Sequence, residues 1–310
     1  MGSPIVYRSA AMARILTLAE RVAATDASVL ITGESGTGKT ALAAMIHELS
    51  GRRRAPFVTV PCANLQPELF ESELFGHEPG AHTDAVARRA GRVESAQGGT
   101  LFLDGIESLT APLQAKLLRV VQERSFERLG GTDVVQVDVR FIASAGAGLA
   151  AEARAGRFRE DLFYRLNVVH LDLPPLRERV EDVAPLASHF LRLHGVRHGA
   201  ARGRLTTAAR RLLKAHSWPG NVRELGNVIE RAIIATGGGT LGPESLALGG
   251  GTPAQEAIRQ GLEARWSLEA LEVAYIKEVL TQTRGNKSRA AAILGSNRKT
   301  LLQKLKKAKA

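Results

Sequence analysis

Residues 33–40 read Gly-Glu-Ser-Gly-Thr-Gly-Lys-Thr, a complete match to G-x-x-x-x-G-K-[ST]. This string constrains the fold because it works only between a strand and a helix. The apolar run at 29–32 supplies the strand, and a helical pattern over 39–49 supplies the helix. The glycines let backbone N–H groups wrap an anion, and the helix start adds positive potential. Gly33, Glu34, Ser35, Gly36, Thr37, Gly38, Lys39 and Thr40 are therefore expected to hold the phosphates of ATP. Lys39 would reach the β and γ phosphates, and the Thr40 hydroxyl would ligate Mg²⁺. Thr100-Leu101-Phe102-Leu103-Asp104 is an apolar strand ending in an acid, so Asp104 is expected to hold the same cation through water.

Further apolar runs at 57–60, 101–103, 139–143 and 168–171 read as core strands, and helical patterns separate most of them. Alternation of this kind predicts a parallel sheet covered on both faces, an α/β architecture. After Pro174-Pro175 the strand signals stop, and 183–193, 206–215 and 221–235 read as helices of a small subdomain. Glycine runs at 237–239 and 249–251 punctuate a polar stretch that reads as a flexible linker. The expected boundaries are 1–172 for the α/β subdomain, 173–236 for a helical lid, 237–265 for the linker and 266–310 for a C-terminal all-α unit.

The last unit reads as a helix-turn-helix. Residues 286–295 give a polar start, a small-residue helix and a glycine stop. Ser296-Asn297 makes the turn, and 298–307 forms a second helix with Leu301, Leu302 and Leu305 on one face. Arg298, Lys299, Thr300, Gln303 and Lys304 lie on or near the other face and would meet DNA in the major groove. Arg298 suits guanine, Gln303 suits adenine, and the lysines suit phosphates. The formal net charge of +11, concentrated toward this end, fits a polyanionic partner. One cysteine, Cys62, cannot form an internal disulfide and reads as a small buried hydrophobe in a cytoplasmic chain. No apolar run is long enough to span a membrane, and no secretory signal is visible.

Longer strings carry a resemblance. Residues 72–78 (Ser-Glu-Leu-Phe-Gly-His-Glu), 100–104, 158–167 (Phe-Arg-Glu-Asp-Leu-Phe-Tyr-Arg-Leu-Asn), 173–179 (Leu-Pro-Pro-Leu-Arg-Glu-Arg) and 218–225 (Trp-Pro-Gly-Asn-Val-Arg-Glu-Leu) resemble the central AAA+ domain of sigma-54-dependent activators, the bacterial enhancer-binding proteins. The C-terminal unit resembles their Fis-type helix-turn-helix. The resemblance implies an AAA+ P-loop domain with a helical lid, and a homo-oligomer, from a dimer to a hexameric ring, with ATP between subunits. It places Arg159 and Arg165 at arginine-finger positions and Arg223 at the sensor II position. It also implies double-stranded DNA and sigma factor or RNA polymerase as partners. Input is expected from another protein, from DNA occupancy or from chain preceding this domain.

Several positions depart from the family pattern. An Asp-Glu pair is usual where this chain has Asp104-Gly105, and that glutamate polarises the attacking water. Glu107 lies two residues on, a shift that is not expected to restore the geometry. Pro61 replaces an asparagine that pairs with the glutamate (Asn64 is three residues off), and Gly146 replaces the sensor I asparagine. In the loop that contacts the sigma factor, G-A-F-T-G-A becomes Gly80-Ala81-His82-Thr83-Asp84-Ala85. Family members also usually carry an apolar residue where this chain has Ser296. Two functions remain open: an ATPase that remodels sigma-54 RNA polymerase, and a DNA-bound regulator that holds ATP with weak or no hydrolysis. The replaced residues favour the second.

Overall fold

The computed structural model describes residues 5–63, 67–81 and 87–247, with isolated positions between 267 and 296. They form two compact units, 1–246 and 247–310.

Five parallel strands form the centre of the first unit: β1 (Val29–Gly33), β2 (Phe57–Pro61), β3 (Thr100–Asp104), β4 (Arg140–Ala145) and β5 (Val169–Leu173). Their order across the sheet is β2-β3-β4-β1-β5, as expected for the α/β P-loop architecture. The register sets Leu103 beside Ala143 and Leu30 beside the same residue. Side chains alternate between faces, so each strand feeds two cores. On one face Leu30, Leu101, Leu103, Phe141 and Ala143 pack with Leu113, Leu117 and Val120 of α4 (Ala111–Glu123). On the other, Val29, Ile31, Phe102, Ile142 and Leu171 pack with α1 (Ala10–Ala23) and α2 (Lys39–Glu48). Burial on both faces explains why these strands read as continuous apolar runs. Each fully buried leucine or isoleucine contributes roughly 1.5–3 kcal/mol.

Arg140, almost fully buried, donates to the carbonyls of Val22 (2.8 Å) and Ala23 (3.1 Å). It thus satisfies the C-terminal carbonyls of α1, where a cation also opposes the helix dipole. Between β2 and β3 the chain forms α3 (Pro67–Phe75), and between β4 and β5 it forms α5 (Leu149–Arg154) and α6 (Glu160–Leu166).

The lid follows β5. Its helices are α7 (Val183–Arg197), α8 (Thr207–Ala215) and α9 (Asn221–Thr236). Strand signals were expected to end before it, and 237 was expected to open a linker. Instead Ala201–Leu205 pairs in parallel with Gly238–Leu241, burying Leu205 and Leu241. The glycine run at 237–239 is a helix stop rather than a spacer. All three residues sit at positive φ (68°, 90° and 96°), and the Gly237 N–H caps Ile233 O. The polar stretch therefore begins inside the lid, and any linker starts beyond the end of the first unit at 246.

In the second unit, Ile276, Val279 and Ala290 are buried together against Tyr275 and Leu294. The Leu294 N–H donates to Ala290 O at 3.0 Å, a helical i→i−4 bond. Arg298, Lys299, Thr300, Gln303 and Lys304 lie outside the described residues, as do His82, Thr83, Asp84, Ala85 and Asn64. Among the described residues no helix is long and apolar enough to cross a membrane.

Candidate functional site

The P-loop closes the C-terminal edge of the sheet at β1, where strand order reverses and ligands of open α/β sheets bind. Gly33, Gly36 and Gly38 hold φ of 140°, 79° and 110°, a left-handed path that L side chains rarely adopt. At Gly36 space is also decisive, because an added Cβ would stand 2.4 Å from Gly220 O of the lid. The Lys39 ammonium donates to Gly33 O (2.7 Å) and Glu34 O (3.1 Å), the reach of an ammonium folded over its own loop. Burial pushes its pKa down, Asp104 and Glu107 oppose that, and Arg223 adds to it.

The lid is bonded to all four variable positions of the loop. Arg177 forks onto the Glu34 carboxylate (2.7 and 3.0 Å). Asn221 Nδ2 donates to Glu34 Oε2 (3.1 Å) and Ser35 O (3.0 Å). Arg223 donates to Ser35 Oγ (2.9 Å), and the N–H groups of Val222 and Arg223 reach Gly36 O (3.0 and 3.3 Å). Arg179, almost fully buried, donates to Thr37 O (2.7 Å). The bonds from Arg177 and then Asn221 hold the Glu34 carboxyl below its ordinary range. Asn221 itself sits at φ 53°, which asparagine tolerates better than most residues, and its Oδ1 accepts the Leu176 N–H at 2.7 Å. The string Trp-Pro-Gly-Asn at 218–221 is thus a turn built to put one buried amide between lid and loop.

A cleft of about 650 Å³ opens between loop, sheet edge and lid, within the range of small-ligand sites. Of the residues expected to hold ATP, Gly33, Ser35, Gly36, Gly38, Lys39, Thr40 and Asp104 line it, whereas Glu34 and Thr37 do not, being bonded to Arg177, Asn221 and Arg179 of the lid. Pro61, Gly105 and Gly146 line it too, so three family-polar positions form its wall with a ring or no side chain. Asp104 accepts a short hydrogen bond from Ser144 Oγ on the neighbouring strand. Arg223 also lines the cleft. Arg159 and Arg165 do not; both are exposed on α6 or its cap, with Arg159 paired to Asp161 (2.8 Å). Gly80 and Ala81, the described part of the altered hexapeptide, lie outside the cleft.

Two features escaped the sequence reading. The first is Glu107, discounted above, which lines the cleft and accepts the Gly146 N–H at 3.0 Å. Gly105, at φ 81° and ψ 51°, bends the chain so that the short turn at 106–108 returns over the sheet edge. A glycine directly after the strand was the available signal. The second is an apolar slot of about 180 Å³ behind the loop, whose walls include Ile5, Val6, Leu42, Leu186 and Phe190. Its parts come from both ends of the unit, so no local pattern shows it. Thr40 and Asp104 present only hydroxyl and carboxylate oxygens, a donor set that fits the hard cation Mg²⁺.

Residues 5–172 match the Sigma-54 interaction domain, 177–256 the AAA+ ATPase lid domain, and 267–307 the Fis family of bacterial regulatory proteins. The chain is 47% identical to the transcriptional regulatory protein ZraR of Klebsiella oxytoca, covering 97% of this chain and 68% of that protein. It is 43% identical to FlbD of Caulobacter vibrioides, covering 98% and 70%. The crystal structure of NtrX from Brucella abortus in complex with ATP superposes with a TM-score of 0.74 at 38% identity, over 98% of this chain and 69% of that one. With the P-loop, the lid and the C-terminal unit all matched, the chain belongs to the sigma-54-dependent activators, the bacterial enhancer-binding transcription regulators.

Proposed function

We propose that this chain is an ATP-binding, DNA-binding transcription regulator that holds its nucleotide far longer than it takes a working family member to hydrolyse it. One observation carries the reading. The cleft keeps its phosphate- and cation-binding groups, Lys39, Thr40 and Asp104, while positions 61, 105 and 146 present a proline ring and two bare glycines to it. In this reading Thr40 and Asp104 hold Mg²⁺, and the cation supplies charge neutralisation at the phosphates. The apolar slot takes the nucleobase, with His189 kept neutral chiefly by burial. The ligation of ATP by NtrX supports the assignment.

ATP then acts as an assembly ligand. It bridges loop and lid where Arg223 already touches Ser35. Arg159 and Arg165, exposed and outside their own cleft, are available to the cleft of a neighbouring copy, where a planar guanidinium suits spread phosphate charge. Residues 267–307 bind double-stranded DNA, with Arg298, Lys299, Thr300, Gln303 and Lys304 as the contacts. The hexapeptide at 80–85 addresses the sigma factor or RNA polymerase with a polar imidazole in place of an apolar phenyl ring at its apex. The protein works in the cytoplasm.

The test is paired. Titration with a fluorescent ATP analogue is expected to show binding, and phosphate release with Mg²⁺ is expected to stay far below the pace of a working family member. Turnover at the pace of a working family member would overturn the slow-hydrolysis reading. Glu107 is the observation that favours the rival, a working ATPase, and it leads to a sharper proposal.

A further inference from the structure

We propose that Glu107 is the carboxylate that activates water in this cleft, in place of the side chain missing at 105. The proposal rests on the reading that the cleft holds ATP, and it names the group through which any hydrolysis runs.

The backbone is shaped to deliver this residue. Gly105 has φ 81°, and its N–H is fixed by Ser144 O (3.0 Å) and Ser144 Oγ (3.1 Å) at the end of β4. From that anchor the turn at 106–108 carries position 107 back to the next residues of the same edge, where Glu107 Oε1 accepts the Gly146 N–H at 3.0 Å. Both ends of the detour are therefore tied to one stretch of the chain, 144–146. Among the described residues the Gly146 N–H is the single hydrogen-bond partner of the Glu107 carboxylate, leaving Oε2 to accept a proton.

The missing side chain at 146 belongs to the same arrangement. A Cβ there would stand in ordinary van der Waals contact with Glu107 Oε1, at 3.5 Å, so the carboxylate lies directly beside the backbone of position 146. Glycine at 105 lets the chain turn, glutamate at 107 lines the cleft, and the backbone at 146 supplies an N–H to hold it. Glu107 also acts electrostatically on the residues around the phosphates. Its charge opposes the fall in the Lys39 pKa and helps push up that of Cys62 at the end of β2.

In the step itself a water oxygen bonds to the γ-phosphorus, and the bond from that phosphorus to the β–γ bridging oxygen breaks. The electron pair of that bond leaves with ADP. The proton lost by the water passes to Glu107 and from there to solvent. The Gly146 N–H holds the carboxylate at one oxygen, so Glu107 acts from a fixed position rather than as a free surface side chain.

The experiment compares the full chain with its Glu107→Gln variant. Single-turnover hydrolysis is followed with protein in excess over ATP and Mg²⁺. Binding of the fluorescent ATP analogue is measured in Mg²⁺ and again in EDTA. Glu107 is exposed, so the substitution leaves folding intact. Turnover should fall by about 10²–10⁴-fold, the range for loss of general-base help, with affinity in Mg²⁺ changed less than about threefold. In EDTA the variant should bind ATP about threefold more tightly, because one like charge no longer faces the phosphates. Equal turnover of the two proteins, including both at the uncatalysed rate, overturns the proposal. So does an unchanged affinity in EDTA. A wild-type chain that binds no ATP overturns the proposal together with the reading beneath it. Fast wild-type turnover that collapses in Glu107→Gln removes the slow-hydrolysis reading and leaves Glu107 standing.

Discussion

Replacing Asn221 by alanine should destabilise the first unit by about 3 kcal/mol. Three losses make up the figure. The buried Leu176 N–H loses its acceptor at 2.7 Å, and an unsatisfied buried donor costs about 1–3 kcal/mol. Two amide bonds to Glu34 and Ser35 disappear, although Glu34 keeps Arg177 and the Ser35 carbonyl can turn to water, so their share is small. Finally, alanine at φ 53° carries a left-handed penalty of about 1 kcal/mol that asparagine largely avoids. In a unit of this size, 3 kcal/mol lowers the melting temperature by about 6–12 °C. Thermal unfolding followed by circular dichroism reads the shift. Asn221→Gly separates the causes, since glycine loses the same bonds without the backbone penalty and should recover about 1 kcal/mol. A loss below 1 kcal/mol in the alanine variant would refute the claim that one amide couples lid and loop. A glycine variant no better than alanine would refute the strain component.

Gly36→Ala should abolish detectable nucleotide binding, because the new Cβ meets Gly220 O at 2.4 Å and φ is 79°; a fluorescent-nucleotide titration with near-normal affinity would contradict it. Gly105→Glu together with Pro61→Asn should raise ATP turnover at least tenfold while costing about 1 kcal/mol of stability from the left-handed position 105; no gain in phosphate release would show that the side chain at 105 does not limit turnover. Burial raises the Cys62 thiol pKa from 9.0 to about 12, so the folded state keeps a proton that the unfolded state sheds above pH 9. Stability is therefore fully present below pH 9 and falls, by at most about 1.4 kcal/mol per pH unit, as pH rises toward 12. Urea midpoints across that range, compared with Cys62→Ala, check the sign. Deleting residues 285–310 should remove DNA binding, and the intact chain should lose affinity steeply with salt; retained binding in an electrophoretic shift assay would refute the helix-turn-helix assignment.

Local chemistry was the legible part. The P-loop announced itself because its glycines, lysine and threonine are consecutive, and the sheet because strands buried on both faces read as unbroken apolar runs. Features assembled from distant segments were not legible. Nothing in residues 201–205 alone signals a partner at 238–241, so the glycine run at 237–239 looked like a spacer. The place of Glu107 in the cleft wall was not legible for a related reason. Distance along an extended chain is a poor guide once a left-handed glycine turns it, and Gly105 does so immediately after β3. Arg140 lies in the run 139–143 that reads as a core strand, and nothing in that run signals that the end of α1 lies against its side chain.

The lid's bonds to Glu34, Ser35, Gly36 and Thr37 carry a consequence for how such loops are exchanged. These are the four positions the P-loop consensus leaves blank. A loop grafted from an unrelated nucleotide-binding protein would satisfy the consensus and still bring phosphate-binding glycines, lysine and threonine. It would, however, strip the Glu34 carboxylate that Arg177 and Asn221 grip and the Ser35 hydroxyl that Arg223 grips. The transplant would hold nucleotide without reporting it to the lid. In this chain every unspecified letter of the motif carries a bond to the lid, and two of them, Ser35 and Gly36, face the cleft as well.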